Sequence, residues 1–474
     1  VSLTVTGYNN LEIVPYELSN LLELRITKKI NEHARLHLTG IVPEQLKDSY
    51  VEMTKAETPI QVSQVDATGK STPIFNGIVL TIEVKAVRGI YYIEVEAVSH
   101  SYKLDIKRKS RSFQNKGLAY SSLLKQVASD YPGLDAIDEA SKGATIGKFT
   151  MQYLETDWQF LKRMASRLHT GLIPASAFDK PKFFFGVPEG SSKGKLEDFH
   201  YTVRKKLSDY RQLTQNSGPS VQENDFIYYE VETDRVLDLG DKVEIKGKSL
   251  YVSEAYTEMK NSLLKHRYIL CAKDGMSQKT VYNESISGVS IQGKVIGLAN
   301  DTVKVHLEID EKQNPGEACF FPYSSVYTAE GNSGWYVMPE MNDHVRIYFP
   351  GNKEEDGIAM SSVRKDSSEG KTNKVNNPDV KVFRTANGKE LMFGPNEIML
   401  TAKDGEIFIK MNEKDGIQIY STKPIKFISK EDIMIDSEKK VIISAKEQIS
   451  LSCKQSSIKM DGSTVINGKE VKTN

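Results

Sequence analysis

The tail of this chain repeats every eight residues, and that repeat limits the folds open to it. Aligned by eight, residues 425–456 read IKFISKED, IMIDSEKK, VIISAKEQ and ISLSCKQS. Position one is Ile425, Ile433, Val441 and Ile449; position three is Phe427, Ile435, Ile443 and Leu451. The second half of each unit is mainly polar. The pairs Ile398/Leu400, Ile407/Ile409 and Ile417/Ile419 carry the same theme at wider spacing, and beyond Leu451 the register slips to Ile458/Met460 and then Ile466. Apolar residues two apart, followed by polar links, predict short strands with two inward side chains each. Eight residues are too few for a coil that closes on itself, since single-chain coils use about 20 or more per turn. Three chains winding together would close one, each giving one side of a triangular prism around a dry axis. Each buried pair would contribute roughly 3–6 kcal/mol before entropy. About nine units at a strand spacing of about 4.8 Å would make a shaft of about 40–50 Å. The expected core is Ile417, Ile419, Ile425, Phe427, Ile433, Ile435, Val441, Ile443, Ile449, Leu451, Ile458 and Met460. The competing fold is an ordinary meander, whose turns should be richer in Asn-Gly and Gly-Pro than these Lys/Glu-rich links.

The rest of the composition narrows the function classes. A chain of 474 residues should hold about three domains. Its 63 Lys+Arg balance 63 Asp+Glu, which argues against a nucleic-acid binder acting through basic surplus and against an acidic disordered chain. No apolar run is long enough for a transmembrane helix. Val1–Gly7 has neither a basic start nor an apolar stretch, so no secretory signal is expected, and export would need another route. Cys271, Cys319 and Cys453 are scattered, which fits buried free thiols rather than a disulfide framework or a zinc site.

Upstream, period two marks strands at Leu22–Thr27, Leu36–Thr39, Ile78–Val84 and Tyr91–Val98. The period then changes. Residues 118–130 place Leu123, Leu124 and Val127 on one helical face before Pro132-Gly133. A second helix starts at Thr156, with Gln159 completing a capping box, and Gly171 is its expected C-cap. Strands return over 172–280, and a boundary falls near Val281–Ser287. Four short strands at 289–295, 302–309, 318–323 and 345–349, with Asn/Asp/Gly/Pro loops, predict a small five-stranded barrel. Residues 364–380 read as a polar linker.

Several fragments invite a catalytic or metal reading, and each has a plainer one. His33 and His37 are four apart, but a strand pattern surrounds them, so a metal pair is not expected. His169 fits a helix C-terminus. Glu354-Glu355-Asp356 and Glu431-Asp432 read as solvated turns rather than an acid–base pair. Gly331–Trp335 lacks a phosphate-loop lysine. Phe320, Phe321, Tyr323, Tyr327, Trp335 and Tyr336 fit barrel core or a subunit contact better than base stacking. The expectation is therefore no enzyme, no cofactor and no nucleic acid.

Some segments resemble a known family. Residues 151–163, MQYLETDWQFLKR, resemble the QY-x-E-x-D-x-x-F-x-x-R segment of VgrG-type hub and spike proteins of contractile injection systems. Phe75-Asn76-Gly77-Ile78-Val79 is similar to their F-x-G-x-V strand, and Ser110–Gln114 to the stretch before their first helix. Residues 337–349, VMPEMNDHVRIYF, resemble P-x-x-G-D-x-V-x-V-x-F of their small barrel, with Asn342 in place of glycine. Asn377-Pro378-Asp379 then leads into the octads, as at a needle base. The resemblance implies a mainly β chain: a hub of two β-barrel-like parts with a few helices (1–285), an OB-fold-like collar (286–363), a linker (364–390), and a triple-stranded intertwined β-helix formed by three chains (391–474). It implies a homotrimeric spike of a type VI secretion system, a phage tail or an extracellular relative. Its partners would be a hexameric tube protein, baseplate proteins, a PAAR-like tip protein or cargo, and transiently the target membrane. It would assemble in the cytoplasm and then be secreted or join an extracellular particle. Neither an inserted lysozyme, a C-terminal effector nor a His-x-His iron tip is expected. A receptor-binding tail fibre and a β-helical glycan-degrading enzyme are the rival readings.

Overall fold

The computed structural model describes residues 7, 10–46, 49–66, 68–189, 192–197, 200–215, 221–260, 262–327, 334–363, 377–460, 462 and 470. It divides into two compact units, Val1–Ser367 and Ser368–Asn474. The chain is mainly β with few helices, as expected.

The first unit is built on a twelve-stranded sheet. Its main path runs Leu11–Val14, Pro59–Val65, Ser71–Val87, Ile90–Ser99, Arg35–Ile41, Asn20–Lys29, Lys248–Lys260, Leu263–Cys271, Ile227–Thr233 and His200–Lys205, with every neighbour antiparallel. Each half covers its own core. Leu24, Leu36, Phe75 and Val95 fill one, and Val231, Val252, Tyr268 and Leu270 the other. Period two fails at bulges, among them those at Val62/Ser63, Val79/Thr81 and Val252/Glu254. A bulge between Leu21 and Glu23 lets Leu21 point in and turns Leu22 out. The F-x-G-x-V strand has a packing cause. Phe75 is fully buried, and a Cβ on Gly77 would lie 2.2 Å from the Val98 carbonyl oxygen.

Two helices, Tyr120–Ala128 and Asp157–Ser166, form a layer with a third core of Leu123, Trp158, Phe160, Leu161 and Phe183. The capping box is present: the Gln159 amide donates to Thr156 Oγ1 (3.2 Å) and the Thr156 amide to Gln159 Oε1 (3.1 Å). Gly171 is not the left-handed cap. His169 takes that conformation (φ 52°), while a Cβ on Gly171 would meet Ile30 Cγ2 at 2.5 Å. A further helix, Leu207–Gln215, lies where only strands were expected. It buries only Leu213.

The small barrel follows. Its strands run in the order Phe320–Pro322, Thr302–Leu307, Ser290–Ala299, His344–Tyr348 and Ile358–Val363. A parallel bridge between Tyr323 and Ala359, with the Ser324 amide on the Ala359 carbonyl (2.8 Å), closes the circuit. Asn342 takes φ 74°, a conformation asparagine tolerates, so the turn stands without the usual glycine. Phe321 packs edge-on to Phe149 in the barrel core, whereas Phe320, Tyr327, Trp335 and Tyr336 are exposed. Cys271 and Cys319 are buried free thiols, but Cys453, expected inside, is exposed.

In the second unit, Lys381–Arg384, Glu390–Phe393, Glu397–Lys403, Ile407–Asn412 and Gly416–Ser421 form an antiparallel meander. Ile449–Cys453 and Ser456–Met460 form a hairpin. The polar segment expected as a linker lies outside the described residues up to position 376, and the meander begins before position 391.

Candidate functional site: an unfinished apolar surface

Burial in the meander is inverted. The register sets Phe393, Ile398, Met411 and Ile417 in one row, and Leu391, Leu400, Ile409 and Ile419 in the next. Both rows share one face, and most of these side chains are open, Ile417 to 74%. The other face is finished within the chain. Arg384 bonds Glu390 (2.7 Å) and Asp404 (2.8 Å), Lys410 pairs with Glu397 (2.8 Å), and the Phe408 and Tyr420 rings stack at 5.3 Å. Glu390 and Thr401, on that face, are only 4% exposed. The sheet shelters a glutamate and bares its isoleucines, the reverse of the usual order of burial.

The strict octads carry this further. From Thr422 to Gln448 no strand is assigned, every residue is exposed, and bends fall at 422–423, 430–431, 438–439 and 446–447. The bends share a device: the amide of Lys423, Glu431 and Lys439 donates to the hydroxyl of Ser421, Ser429 and Ser437 (3.0, 3.1 and 3.3 Å). Position five of the octad is thus a small residue, continuing as Ala445 and Cys453. That small residue is visible in the sequence itself. Among the described residues, no backbone ladder joins these extended legs. Ile425, Phe427, Ile433, Ile435, Val441 and Ile443 are all exposed, Ile443 to 68%. Of the remaining expected core residues, Ile449 lies opposite Met460 and Leu451 opposite Ile458 within the hairpin. The wider-spaced pairs and the fourth strict octad therefore find strand partners in their own chain, and the first three strict octads, 425–448, show none among the described residues.

In the first unit the motif residues form a charge cluster rather than a cleft. Asp157, fully buried, accepts from Lys109 Nζ (2.5 Å), Arg111 Nη2 (2.8 Å), Gln152 Nε2 (2.9 Å) and Tyr131 Oη (2.6 Å). Burial, then this hydrogen bond to Asp157, pushes the Tyr131 hydroxyl well above its ordinary value. Arg163 bonds Glu155 through Nε (2.9 Å) and Nη2 (2.8 Å), the Met151 carbonyl (2.6 Å), and Glu354 through Nη1 (3.0 Å). Glu354 also accepts from Arg167. The expectation of a solvated Glu354 is wrong: it is 2% exposed, because two guanidiniums hold it inside. The loop position hid this, since the partners lie far away in the sequence.

The histidines have structural partners. His33 Nδ1 lies 2.8 Å from Ser101 Oγ, and its Nε2 lies 3.3 Å from Asp105 Oδ2. The trio has the residue types of a hydrolytic triad, but Ser101 is buried and bonded to Ser99 (3.0 Å), and Trp158 lies against the imidazole (4.5 Å between rings). His37 sits beside Glu94.

Comparison with known proteins bears on the fold. No protein-family model matches the sequence, and no curated protein matches it. Solved structures do. The E. coli c3393 protein, a component of the type VI secretion system similar to the T4 bacteriophage tail proteins gp27 and gp5, aligns at TM-score 0.53 and 12% identity, over 75% of this chain and 99% of its own. A chain of the PdpA–VgrG complex aligns at TM-score 0.53 and 11% identity, over 87% of this chain and 99% of its own. This chain has the fold of a VgrG-type hub and spike protein. A chain of the lidded Francisella PdpA–VgrG complex agrees, at TM-score 0.51 and 12% identity over 84% of this chain and 76% of its own. At these identities the likeness is one of fold.

Proposed function

We propose that this chain is the hub and spike subunit of a contractile injection apparatus and acts as a homotrimer. In this reading residues 1–285 form the hub, where three copies meet a hexameric tube, and 286–363 form an OB-fold-like collar. The second unit supplies the needle. The observation that carries the reading is the octad segment 422–448: evenly bent extended legs that, among the described residues, have no intrachain ladder partners and bare an apolar pair in each unit. Backbone donors and acceptors in a strand need partners, and exposed apolar rows of this size need cover. Two sister copies supply both. Their legs interleave with those of the first chain, and the pairs at positions one and three meet on the axis.

The needle would then have two constructions. At its base each chain contributes a complete five-stranded wall, apolar face inward and salt bridges outward. Along the shaft the walls are shared strand by strand. The piercing role needs a stiff body with few free strand edges, and interleaving provides it without any catalytic residue. A baseplate and tube would hold the hub, and a PAAR-like tip protein or cargo would cover the far end. Assembly in the cytoplasm followed by ejection or release in a particle completes the reading. The experiment is sedimentation of the full chain together with its resistance to SDS. A monomer would end the proposal.

A further inference from the structure

The strand Thr150–Thr156 and the helix Asp157–Ser166 stand between the large sheet and the small barrel, and they bond to both. Toward the sheet, Trp158 Nε1 donates to the Asn31 carbonyl (3.2 Å), and Thr156 Oγ1 bonds Asp105. Toward the barrel, Phe149 and Met151 belong to the barrel core itself, packed with Phe321 and Phe349. The segment that enters the barrel is pinned to the same piece: Asn283 Nδ2 donates to the Tyr153 carbonyl (2.9 Å), and the Val281 amide to Ser166 Oγ (2.9 Å).

At the centre of this junction lie four buried or nearly buried charges, Glu155, Arg163, Arg167 and Glu354. Three come from the strand and helix side and one, Glu354, from the loop between the last two barrel strands. Without Glu354, Arg163 would keep only Glu155, and Arg167 would lose the carboxylate it pairs with out of water. Burial and then the neighbouring Arg163 already lower Arg167 to about 10. Lys148 and Glu355 (2.6 Å) form a more open pair at the rim. An interface held only by greasy contacts tolerates sliding; one that closes on a buried carboxylate has a single register, because any slip strands a charge.

We propose that Glu354 is the key of a docking lock that fixes the barrel on the capped helix, so that thrust entering the hub passes to the collar through Arg163 and Arg167. The purpose assigned to the lock rests on the spike reading; its existence does not. The lock lies within one chain and makes the barrel fold and unfold together with the helical layer.

Hydrogen exchange read by mass spectrometry on the full chain tests this. In Glu354→Ala, amides of residues 290–307 and 344–363 should exchange at least tenfold faster, while those of 20–41 and 248–271 keep the wild-type rate. Glu355→Ala, at the rim, should change neither set more than about twofold. Equal acceleration of both sets, or none, would overturn the lock. Should Glu354→Ala fail to fold, Glu354→Gln keeps the shape and removes the charge, and the same selective acceleration is required of it. Sedimentation of each variant reads the assembly separately. A lock that fails in a trimer refutes the lock alone, and a lock that holds in a monomer refutes the spike reading alone.

Discussion

Ile442 and Ile443 are neighbours in the sequence and nearly alike in one chain, exposed to 83% and 68%. Their side chains point to opposite sides of an extended leg. For a lone chain, an aspartate at either place is a surface change worth within about 0.5 kcal/mol. In the proposed trimer the two positions part company. Ile442 stays outside, and Ile443→Asp sets three carboxylates on the axis. Each copy then loses about 2–3 kcal/mol of isoleucine burial and carries an unpaired buried charge costing at least about 3 kcal/mol. Over three copies the penalty is on the order of 15 kcal/mol, as large as the whole stability of a typical domain. The assay is an unheated SDS gel with sedimentation of both variants. Ile442→Asp should run as the wild-type trimer and Ile443→Asp as monomer. Equal behaviour of the two, in either direction, would refute the axial assignment.

Three further outcomes follow from the first unit. His266 is buried neutral between Thr257 (2.8 Å) and Gln64 (3.1 Å), and burial, then nearby Lys28, lowers it to about 4. The unfolded chain therefore binds more protons between about pH 6.5 and 4, and this contribution, present above the unfolded value, is lost as pH falls. Denaturant melts should show about 2 kcal/mol less stability at pH 5 than at pH 8 from this group, and His266→Asn should flatten that slope. Thr156→Ala removes the capping hydroxyl and should cost about 1 kcal/mol, seen as a lower Tm by circular dichroism. Gly77→Ala would press a methyl against the Val98 carbonyl; a loss of about 1–3 kcal/mol in urea melts is expected, and an unchanged midpoint would show that the two strands separate easily.

Local chemistry was readable in the sequence wherever near neighbours set it. The capping box at Thr156 and Gln159 depends on residues three apart, and the strands around Leu36 and Val95 on simple alternation. What escaped depends on distant partners or broken periods. The bulge that turns Leu22 out is a register shift against Thr39. The fifth barrel strand, Ile358–Val363, mixes small and polar residues and shows no clean alternation. Glu354 looks like a loop carboxylate until Arg163 and Arg167 are brought to it. In the tail, the sequence pattern announced inward pairs but did not separate pairs that find strand partners in their own chain from those that do not. The wider spacing around Ile398, Ile407 and Ile417 leaves room for the chain to reverse. The first strict octads leave only a short bend, at Ser429 and Ser437 held by the serine hydroxyl, which turns the chain without returning it.

The central claim is that the tail completes its hydrophobic interior only with sister copies. The mass of the intact particle under native conditions tests it most directly. Three times 53.2 kDa is the predicted result, and a stable particle of one chain would contradict it.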